Sequence, residues 1–307
     1  MTQPVANVYL GTSEFAATVL RRLAESPHRP ALCVTPPNRP RGRGRKLTSP
    51  PAASTARELG IELLQVASVN DSQAVETIRS ATPQLGTVCA FGQLIKEPLL
   101  SELPMLNVHP SLLPRWRGAA PIERAIMSRD RETGVSVMRV TAGLDSGPVA
   151  LQEPVPIGPD EDWGSLAPRL AALGGELIVR ALDLHAAGEL RYAEQDESTA
   201  TYAEKIDSAE RRLDPGRPAV ELAATVRALT PHIGAYLELD GGEWLGVLRA
   251  IAEDGELPAG DLVADDRALR LGCAAGMLRL EIVQPSGGRP MPADAYLRGH
   301  APPARAG

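Results

Sequence analysis

The sequence predicts an α/β protein in which a mostly parallel sheet is followed by a smaller all-β domain. Up to about residue 80, short apolar runs alternate with helix-period segments, as in strand–helix units of a Rossmann-like parallel sheet. After residue 208, short strand candidates separated by turn residues indicate a small barrel, similar to an OB fold. A length of 307 residues suits two domains that each bury a core.

The elements of the first domain follow from hydrophobic periodicity. Residues 8–10 and 31–35 are predicted as buried strands, joined by a helix whose apolar face includes Val19 and Leu23. Further strands are predicted over residues 85–91, 105–108 and 134–140, and a long helix over residues 163–185. We therefore assign residues 1–189 to the domain with the parallel sheet.

The second domain is separated from the first by a polar stretch. Residues 190–207 lack a convincing period and are predicted to be a linker. A helix is expected over residues 218–229, and Pro231 ends it. The strands predicted after it cover residues 235–239, 244–250, 262–264, 269–273 and 277–283. Residues 208–307 are therefore assigned to the OB-like domain.

Composition limits the possible functions and locations. Aromatic residues make up only 3% of the chain, which disfavours stacking platforms for single-stranded nucleic acid. A net charge of −6 disfavours attraction to polyanions over the whole surface, so any such contact must be local. Cys33, Cys89 and Cys273 form no CxxC pair and are interpreted as core residues in a reducing compartment. With neither an apolar leader nor a long apolar run, the protein is expected in the cytoplasm and away from membranes.

A chemistry-bearing segment follows the predicted strand at residues 105–108. Asn107 and His109 are two residues apart, so both side chains lie on one face at the carboxyl end of this strand. Open α/β sheets bind their ligands at this edge. Taken alone, the pair could equally satisfy backbone groups around the turn at Pro110.

An aspartate follows the strand predicted to end near residue 140. Asp145 stands between Gly143 and Gly147, which indicates a tight turn that can present one side chain into a cleft. Most aspartates flanked by glycines merely form turns, so this motif is weak by itself.

Together these segments resemble the folate-dependent formyltransferase family. The shared motifs are Asn-x-His at Asn107 and His109, Ser-Leu-Leu-Pro at residues 111–114, and Gly-x-Asp-Ser-Gly at residues 143–147. Within the family, the sequence is most similar to the members that formylate methionine carried on initiator tRNA. That similarity lies in residues 11–16, 38–46, 90–93, 115–122, 227–229 and 297–299.

The resemblance implies an enzyme that transfers formyl from 10-formyltetrahydrofolate to the amino group of methionyl-initiator tRNA. Asn107 and a protonated His109 are expected to stabilise the oxyanion, and Asp145 to orient and charge the imidazole. No covalent intermediate and no metal are expected. The residues expected to bind the folate are Phe91, Gly92, Gln93, Leu94, Ile95, Ser111, Leu112, Leu113, Pro114 and Thr141.

A basic segment is the candidate contact with RNA. Its cations, interleaved with proline and glycine, are Arg39, Arg41, Arg43, Arg45 and Lys46. A charge run is usually only solvated, but concentrated positive charge in an acidic protein suits the phosphates of an acceptor arm. We expect a mobile loop here, charged initiator tRNA as partner, and a monomeric protein.

Two other functions are compatible with parts of the sequence. One is a formyltransferase for a small amine, such as an amino sugar nucleotide or glycinamide ribonucleotide; the basic segment and the barrel-like tail disfavour it. The other is a catalytically silent RNA-binding protein on the same scaffold, which the intact Asn107, His109 and Asp145 disfavour.

Overall fold

The computed structural model describes residues 3–41, 46–265, 268–300 and 304–306. By their contacts these residues fall into two compact units. The first is built from residues up to Gly118 together with Thr133–Pro156 and Ala167–Tyr202; the second is built from Ala119–Glu132, Ile157–Leu166 and residues from Ala203 onward. In the described ranges, the helices are too short or too polar to cross a membrane.

The elements up to Gly118 alternate between strands and helices. In chain order they are β1 (Asn7–Gly11), α1 (Glu14–Ala24), β2 (Leu32–Thr35), β3 (Arg39–Arg41), β4 (Lys46–Thr48), α2 (Pro51–Leu59), β5 (Glu62–Gln65), α3 (Ser72–Ser80), β6 (Leu85–Cys89), α4 (Leu99–Glu102), β7 (Met105–His109) and β8 (Arg117–Gly118).

After Gly118, helices and strands are interspersed up to residue 229, and the described elements between residues 229 and 293 are all strands. They are α5 (Pro121–Met127), β9 (Glu132–Arg139), β10 (Val149–Pro156), α6 (Trp163–Ala186), β11 (Tyr202–Ala203), α7 (Ala219–Leu229), β12 (Ala235–Glu238), β13 (Trp244–Glu253), β14 (Leu262–Ala264), β15 (Leu269–Gly272), β16 (Met277–Pro285), β17 (Met291–Pro292) and α8 (Ala293–Gly299).

The sheet of the first unit is mostly parallel, which confirms the predicted fold class. Among the described residues it has seven strands, in the order β10-β9-β7-β6-β1-β2-β5. The strands from β7 to β5 run parallel to their neighbours, whereas β9 pairs antiparallel with β7. Every residue of β1 and β6 is buried and most are apolar, as strands covered on both faces require.

The start of α1 illustrates how local sequence fixes the first turn of the fold. Ser13 caps the helix by accepting the Ala16 amide, and Val19 and Leu23 face the core with no exposed surface. Gly11 is required just before the cap, because a Cβ there would lie 3.1 Å from the Cys89 carbonyl oxygen and 2.9 Å from Cβ of Ala16.

The carboxyl ends of the parallel strands meet at one edge. Thr12, directly after β1, donates its hydroxyl to the Phe91 carbonyl oxygen, which follows β6, at 2.7 Å. His109 ends the neighbouring β7. Ligands of open α/β sheets bind at such an edge, so the functional site is expected there.

The second unit is built on an antiparallel sheet. Its strands follow the order β12-β13-β16-β15-β14, with β17 paired to β16. Helix α7 buries Leu222, Val226 and Leu229 in a core shared with Leu269 and Leu278. This arrangement is consistent with the predicted OB-like domain, and each strand predicted after residue 208 is present with similar bounds.

The predicted domain limits of 1–189, 190–207 and 208–307 stay a prediction. They divide the chain sequentially, whereas the two units interleave along it, because Ala119–Glu132 and Ile157–Leu166 have their contacts in the second unit.

Candidate active site

Strand β7 presents the two side chains of the Asn-x-His motif. Asn107 is partly exposed, whereas His109 at the strand end keeps only 4% of its surface exposed. Their spacing of two residues puts both side chains on one face. The turn after His109 is closed by Ser111, whose hydroxyl donates to the Arg115 carbonyl oxygen at 2.6 Å.

The carboxylate of Asp145 brings the candidate catalytic residues together. Asn107 Nδ2 donates to Asp145 Oδ1 at 3.4 Å, and His109 Nδ1 lies 3.6 Å from Asp145 Oδ2. The Gly118 amide also donates to Asp145 Oδ2, at 2.9 Å. Asp145 has a φ of +46°, a left-handed conformation that a non-glycine residue adopts only when its surroundings hold it. The structure therefore gathers the three predicted residues, while their catalytic roles stay predictions.

The imidazole of His109 faces an oxygen at each ring nitrogen. Nε2 lies 2.9 Å from the carbonyl oxygen of Trp116, which can only accept, so Nε2 carries a proton. Nδ1 faces the Asp145 carboxylate at the longer distance of 3.6 Å. Trp116 is also left-handed, with a φ of +62°. Two strained residues thus hold the ring from its two sides.

The loop after β6 contains five of the predicted folate-binding residues. Phe91 and Ile95 are buried in the core, and Gly92 has a φ of +74°. Gln93 accepts the Val69 amide at 2.8 Å and donates to the Val66 carbonyl oxygen at 3.3 Å. Leu94 is 66% exposed. Most of these residues shape the loop, and Leu94 is the one whose side chain faces outward.

The remaining predicted folate-binding residues lie on two loops. Ser111 and Leu113 are buried, and the Leu113 amide donates to Ser136 Oγ at 3.1 Å. Leu112 and Pro114 are partly exposed, and Thr141 is exposed on the loop that carries Asp145. Contact of any of these residues with folate stays a prediction.

At its two described ends, the basic segment forms paired strands and not the mobile loop that the sequence predicted; residues 42–45 lie outside the described residues. Strands β3 and β4 pair antiparallel, with Arg39 opposite Thr48 and Arg41 opposite Lys46. Arginine at every second position has the period of a strand, and backbone pairing does not depend on side-chain polarity. Arg39 and Lys46 are exposed. Arg43 and Arg45 lie outside the described residues, and RNA contact by the segment stays a prediction.

Part of the predicted linker folds back onto the site, and sequence reasoning missed its role. We call residues 195–201 the return segment. Gln195 Nε2 donates to the carbonyl oxygens of Asp145 and Gly147 at 2.8 and 2.7 Å. Thr201 Oγ1 accepts the Trp116 amide at 2.9 Å. These contacts join residues about 50 or more positions apart, and a polar, aperiodic sequence carries no local signal for them.

A buried arginine supports the return segment. Arg117 keeps 1% of its surface exposed and donates from Nε and Nη2 to Gln195 Oε1, at 3.0 and 2.9 Å. Its Nη1 and Nη2 also donate to the Glu197 carboxylate at 2.8 and 2.7 Å. Hydrogen bonding to Arg117 holds the pKa of Glu197 below its ordinary value. The guanidinium is therefore satisfied by bidentate pairing, as a buried charge requires.

Other reactive side chains lie elsewhere. Burial raises the pKa of Cys33 and Cys89 to about 12 and that of Cys273 to about 11, so these thiols stay protonated near neutral pH. All three cysteines are free and buried, as the sequence predicted. Among the described residues, no cluster of His, Cys, Asp or Glu is arranged to hold a metal ion.

Comparison with known proteins identifies the family. Residues 4–182 match the model for Formyl transferase, and residues 205–301 match the model for Formyl transferase, C-terminal domain. A mostly parallel sheet followed by an antiparallel domain is thus the architecture of a formyl transferase. The chain belongs to the formyl transferase family.

Relatives narrow the assignment further. The chain is 42% identical over 299 residues to a methionyl-tRNA formyltransferase of Methylococcus capsulatus, covering 96% of both chains. It is 43% identical over 302 residues to that of Phenylobacterium zucineum, covering 96% of this chain and 97% of the other. Within the family, it therefore groups with the methionyl-tRNA formyltransferases. The crystal structure of HypX from Aquifex aeolicus with tetrahydrofolic acid shares the fold, with a TM-score of 0.63, 18% identity, and coverage of 96% of this chain and 47% of HypX.

Proposed function

We propose that this protein transfers the formyl group of 10-formyltetrahydrofolate to the free amino group of methionine esterified to initiator tRNA. The observation that carries the proposal is the Asp145 carboxylate, which gathers Asn107, His109 and the Gly118 amide at the carboxyl edge of the sheet. The names of the relatives at 42% and 43% identity support methionyl-tRNA as the acceptor. The expected cytoplasmic location and monomeric state stay predictions.

Asn107 stabilises the oxyanion in the proposed mechanism. Attack of the amine on the formyl carbon forms a C–N bond and places negative charge on the formyl oxygen. The Asn107 amide nitrogen carries two hydrogens, and only one is needed for its 3.4 Å contact with Asp145. The second is available to the oxyanion. Because both ring nitrogens of His109 already face protein oxygens, direct donation falls first to Asn107.

His109 and Asp145 manage the proton that the reaction moves. The attacking nitrogen must lose a proton, and the folate nitrogen must gain one as its bond to the formyl carbon breaks. The Trp116 carbonyl oxygen holds the proton on Nε2 of His109, so Nδ1, which lies 3.6 Å from the Asp145 carboxylate, is the ring nitrogen that exchanges a proton. Asp145 compensates the positive charge that the ring gains. The two side chains pass the proton from the attacking amine nitrogen to the folate nitrogen. Ser111 and the buried cysteines form no covalent bond with substrate.

The loops beside the three residues suit a flat heterocycle. Leu94 and Leu144, on the loops after β6 and β9, are 66% and 62% exposed. Leu94 is adjacent in sequence to buried Ile95, and Leu144 is adjacent to Asp145; these leucines provide apolar surface, with backbone groups for the polar edge of a pterin. We assign the donor to this edge of the sheet. Arg39, Lys46 and the rest of the basic segment bind the acceptor phosphates.

The test measures formyl transfer with purified protein and radiolabelled 10-formyltetrahydrofolate. Methionyl-initiator tRNA, methionyl-elongator tRNA, free methionine and an amino sugar nucleotide are compared as acceptors. We expect the highest kcat/KM with methionyl-initiator tRNA. Equal rates on the two tRNAs would limit the proposal to methionyl-tRNA in general. A preference for the amino sugar nucleotide, or no transfer to any tRNA, would refute it.

A further inference from the structure

The return segment (residues 195–201) contacts the backbone that positions two catalytic candidates, Asp145 and His109. One contact is made by Gln195, whose side chain reaches the backbone around Asp145. The other is made by Thr201, which holds the backbone of Trp116. Both side chains therefore act on the backbone that carries or orients a catalytic candidate, and any effect on catalysis is indirect.

The Gln195 side chain determines the conformation of the turn that presents Asp145. Its amide nitrogen donates to the Asp145 carbonyl oxygen at 2.8 Å and to the Gly147 carbonyl oxygen at 2.7 Å. Both amide hydrogens are used, and one of them holds the carbonyl of a residue in the left-handed region. Such a conformation costs on the order of 1–3 kcal/mol and persists only where surrounding contacts impose it.

Arg117 fixes which way the Gln195 amide faces. Because the guanidinium can only donate, its two bonds to Gln195 oblige the oxygen to point at Arg117 and the nitrogen at the turn. Arg117 is itself paired with Glu197 in the same segment. The orientation of the donors toward the Asp145 turn is thus set by a buried charge.

Thr201 acts on the other side of the imidazole. Its Oγ1 accepts the Trp116 amide at 2.9 Å, and its carbonyl oxygen accepts the Arg117 amide at 2.9 Å. Trp116 is left-handed, and its own carbonyl oxygen lies 2.9 Å from His109 Nε2. The position of Thr201 therefore sets the position of the oxygen that orients the ring.

We propose that the return segment is a positioning element for catalysis, in which Gln195 orients Asp145 and Thr201 orients His109 through Trp116. The inference rests on the proposed function, since it assigns these roles toward formyl transfer. Gln195 and Thr201 thereby contribute to turnover without contacting either substrate, and they are positioning residues rather than catalytic ones.

Two substitutions remove the contacts while keeping the shape of each side chain. Gln195→Glu retains an acceptor for Arg117 but replaces the two donors with a carboxylate oxygen that faces two carbonyl oxygens. Thr201→Val removes only the hydroxyl that accepts the Trp116 amide. Thr201→Ser keeps this hydroxyl and is the conservative rescue. Gln284→Glu is the matched control, because Gln284 also donates to a turn carbonyl, that of Gly288 at 2.9 Å, in the second unit.

The experiment determines kcat and both KM values for each variant, together with its melting temperature. We expect Gln195→Glu and Thr201→Val to lower kcat by roughly tenfold to a hundredfold, as misplacement of catalytic groups by about 1 Å does. The KM values for folate and for tRNA should stay within about twofold of the parent. Thr201→Ser and Gln284→Glu should retain the parental kcat.

Each outcome decides the proposal. A parental kcat in folded Gln195→Glu or Thr201→Val overturns it, as does a loss confined to KM, which would make the segment a binding element. If Gln195→Glu does not fold, the comparison of Thr201→Val with Thr201→Ser decides alone. The parent protein in the same assay separates the two hypotheses: no formyl transfer by the parent refutes the proposed function, whereas an active parent with equally active variants refutes only the positioning role.

Discussion

At the scale of single residues, Asp145 occupies the position on which the site depends. Its carboxylate has contacts with Asn107, His109 and the Gly118 amide, and its backbone is strained. A charge that is held by several donors is already oriented before substrate binds, which lowers the reorganisation that the reaction needs. The sequence predicted Asp145 through the motif Gly-x-Asp-Ser-Gly that it shares with the family, but it did not predict the Gln195 amide that holds the turn.

Alanine substitution of any catalytic candidate should cost most of the activity. We expect Asn107→Ala, His109→Ala or Asp145→Ala each to lower turnover by about a hundredfold or more, as loss of an oxyanion donor does. Because Asp145 contacts both other side chains, His109→Ala combined with Asp145→Ala should cost far less than the product of the single losses. Steady-state kinetics of the single and double variants measures this.

Asp145→Asn serves as the control for folding in that series. It keeps an acceptor for the Gly118 amide while removing the negative charge beside His109. We expect its melting temperature to match the parent while its turnover stays low. Near-normal turnover in folded His109→Ala, or losses that multiply fully, would show that the three residues do not act as a unit.

At the scale of elements, the catalytic strand depends on a glycine in the helix that packs on it. A Cβ added at Gly174 of α6 would lie 2.8 Å from Cγ1 of Val108, the residue between Asn107 and His109 on β7. Alanine gains up to about 1 kcal/mol of helix propensity over glycine, but overpacking a core costs about 1–3 kcal/mol.

We expect Gly174→Ala to leave the free energy of unfolding unchanged or to lower it by up to about 2 kcal/mol, and to lower turnover because β7 shifts. Gly299→Ala at the end of α8 is the control, since no atom lies within 4 Å of its added Cβ among the residues that the structure describes. Urea denaturation and kcat are measured for both. A stabilised, fully active Gly174→Ala would show that α6 can retreat from the strand without consequence.

Substitution of the basic segment distinguishes a tRNA acceptor from a small acceptor. We expect joint replacement of Arg41, Arg43 and Arg45 by serine to weaken tRNA binding, because fewer counterions are released on association. The log–log salt slope should flatten by roughly two to three units, about one for each phosphate that an arginine no longer neutralises. Affinity for folate should be unchanged.

A charge-matched control shows whether the effect on tRNA binding is specific to the basic segment. Replacing three exposed arginines outside the basic segment by serine changes the net charge by the same amount as the triple variant; these are Arg22, Arg180 and Arg191. We expect this variant to keep most of the salt slope. If both variants lose the same tRNA affinity and salt slope, the effect comes from net charge. If the variant of the basic segment keeps its tRNA affinity and salt slope, the segment is only solvated.

The elements that the sequence predicted are those with strong local signals. Buried strands such as β1 and β6 are short and mostly apolar, and α1 carries an apolar stripe behind a serine cap. Strands β5 and β10 were not predicted, because their sequences lack a strong hydrophobic pattern. Strand β10 is a largely exposed edge strand, and β5 is only half-buried. The return segment was missed because its structure comes from long-range hydrogen bonds that no local pattern encodes.

At the scale of the whole molecule, the two compact units interleave along the chain. Helix α5 and residues 157–166 precede the predicted linker but belong to the second unit. There, Glu123 accepts from His232 at 2.8 Å, and Trp163 stacks on the same ring with centroids 3.8 Å apart. A composition shift marks a point in the sequence, whereas packing groups segments that are distant in sequence, so the sequence could not show this interleaving.

The interleaving predicts that a fragment ending at residue 207 is unstable. Helix α5 buries Ile122 and Ile126 and packs against α7, which the fragment lacks. Exposing two such side chains costs about 1.5–3 kcal/mol each, and each kcal/mol lowers the melting temperature by about 2–4 °C for a chain of this size. We therefore expect the fragment to melt about 10 °C or more below the full chain, measured by circular dichroism. Adding the separate fragment 208–307 should restore part of this loss, whereas a cooperative transition at the full-chain temperature would show that the chain divides sequentially after all.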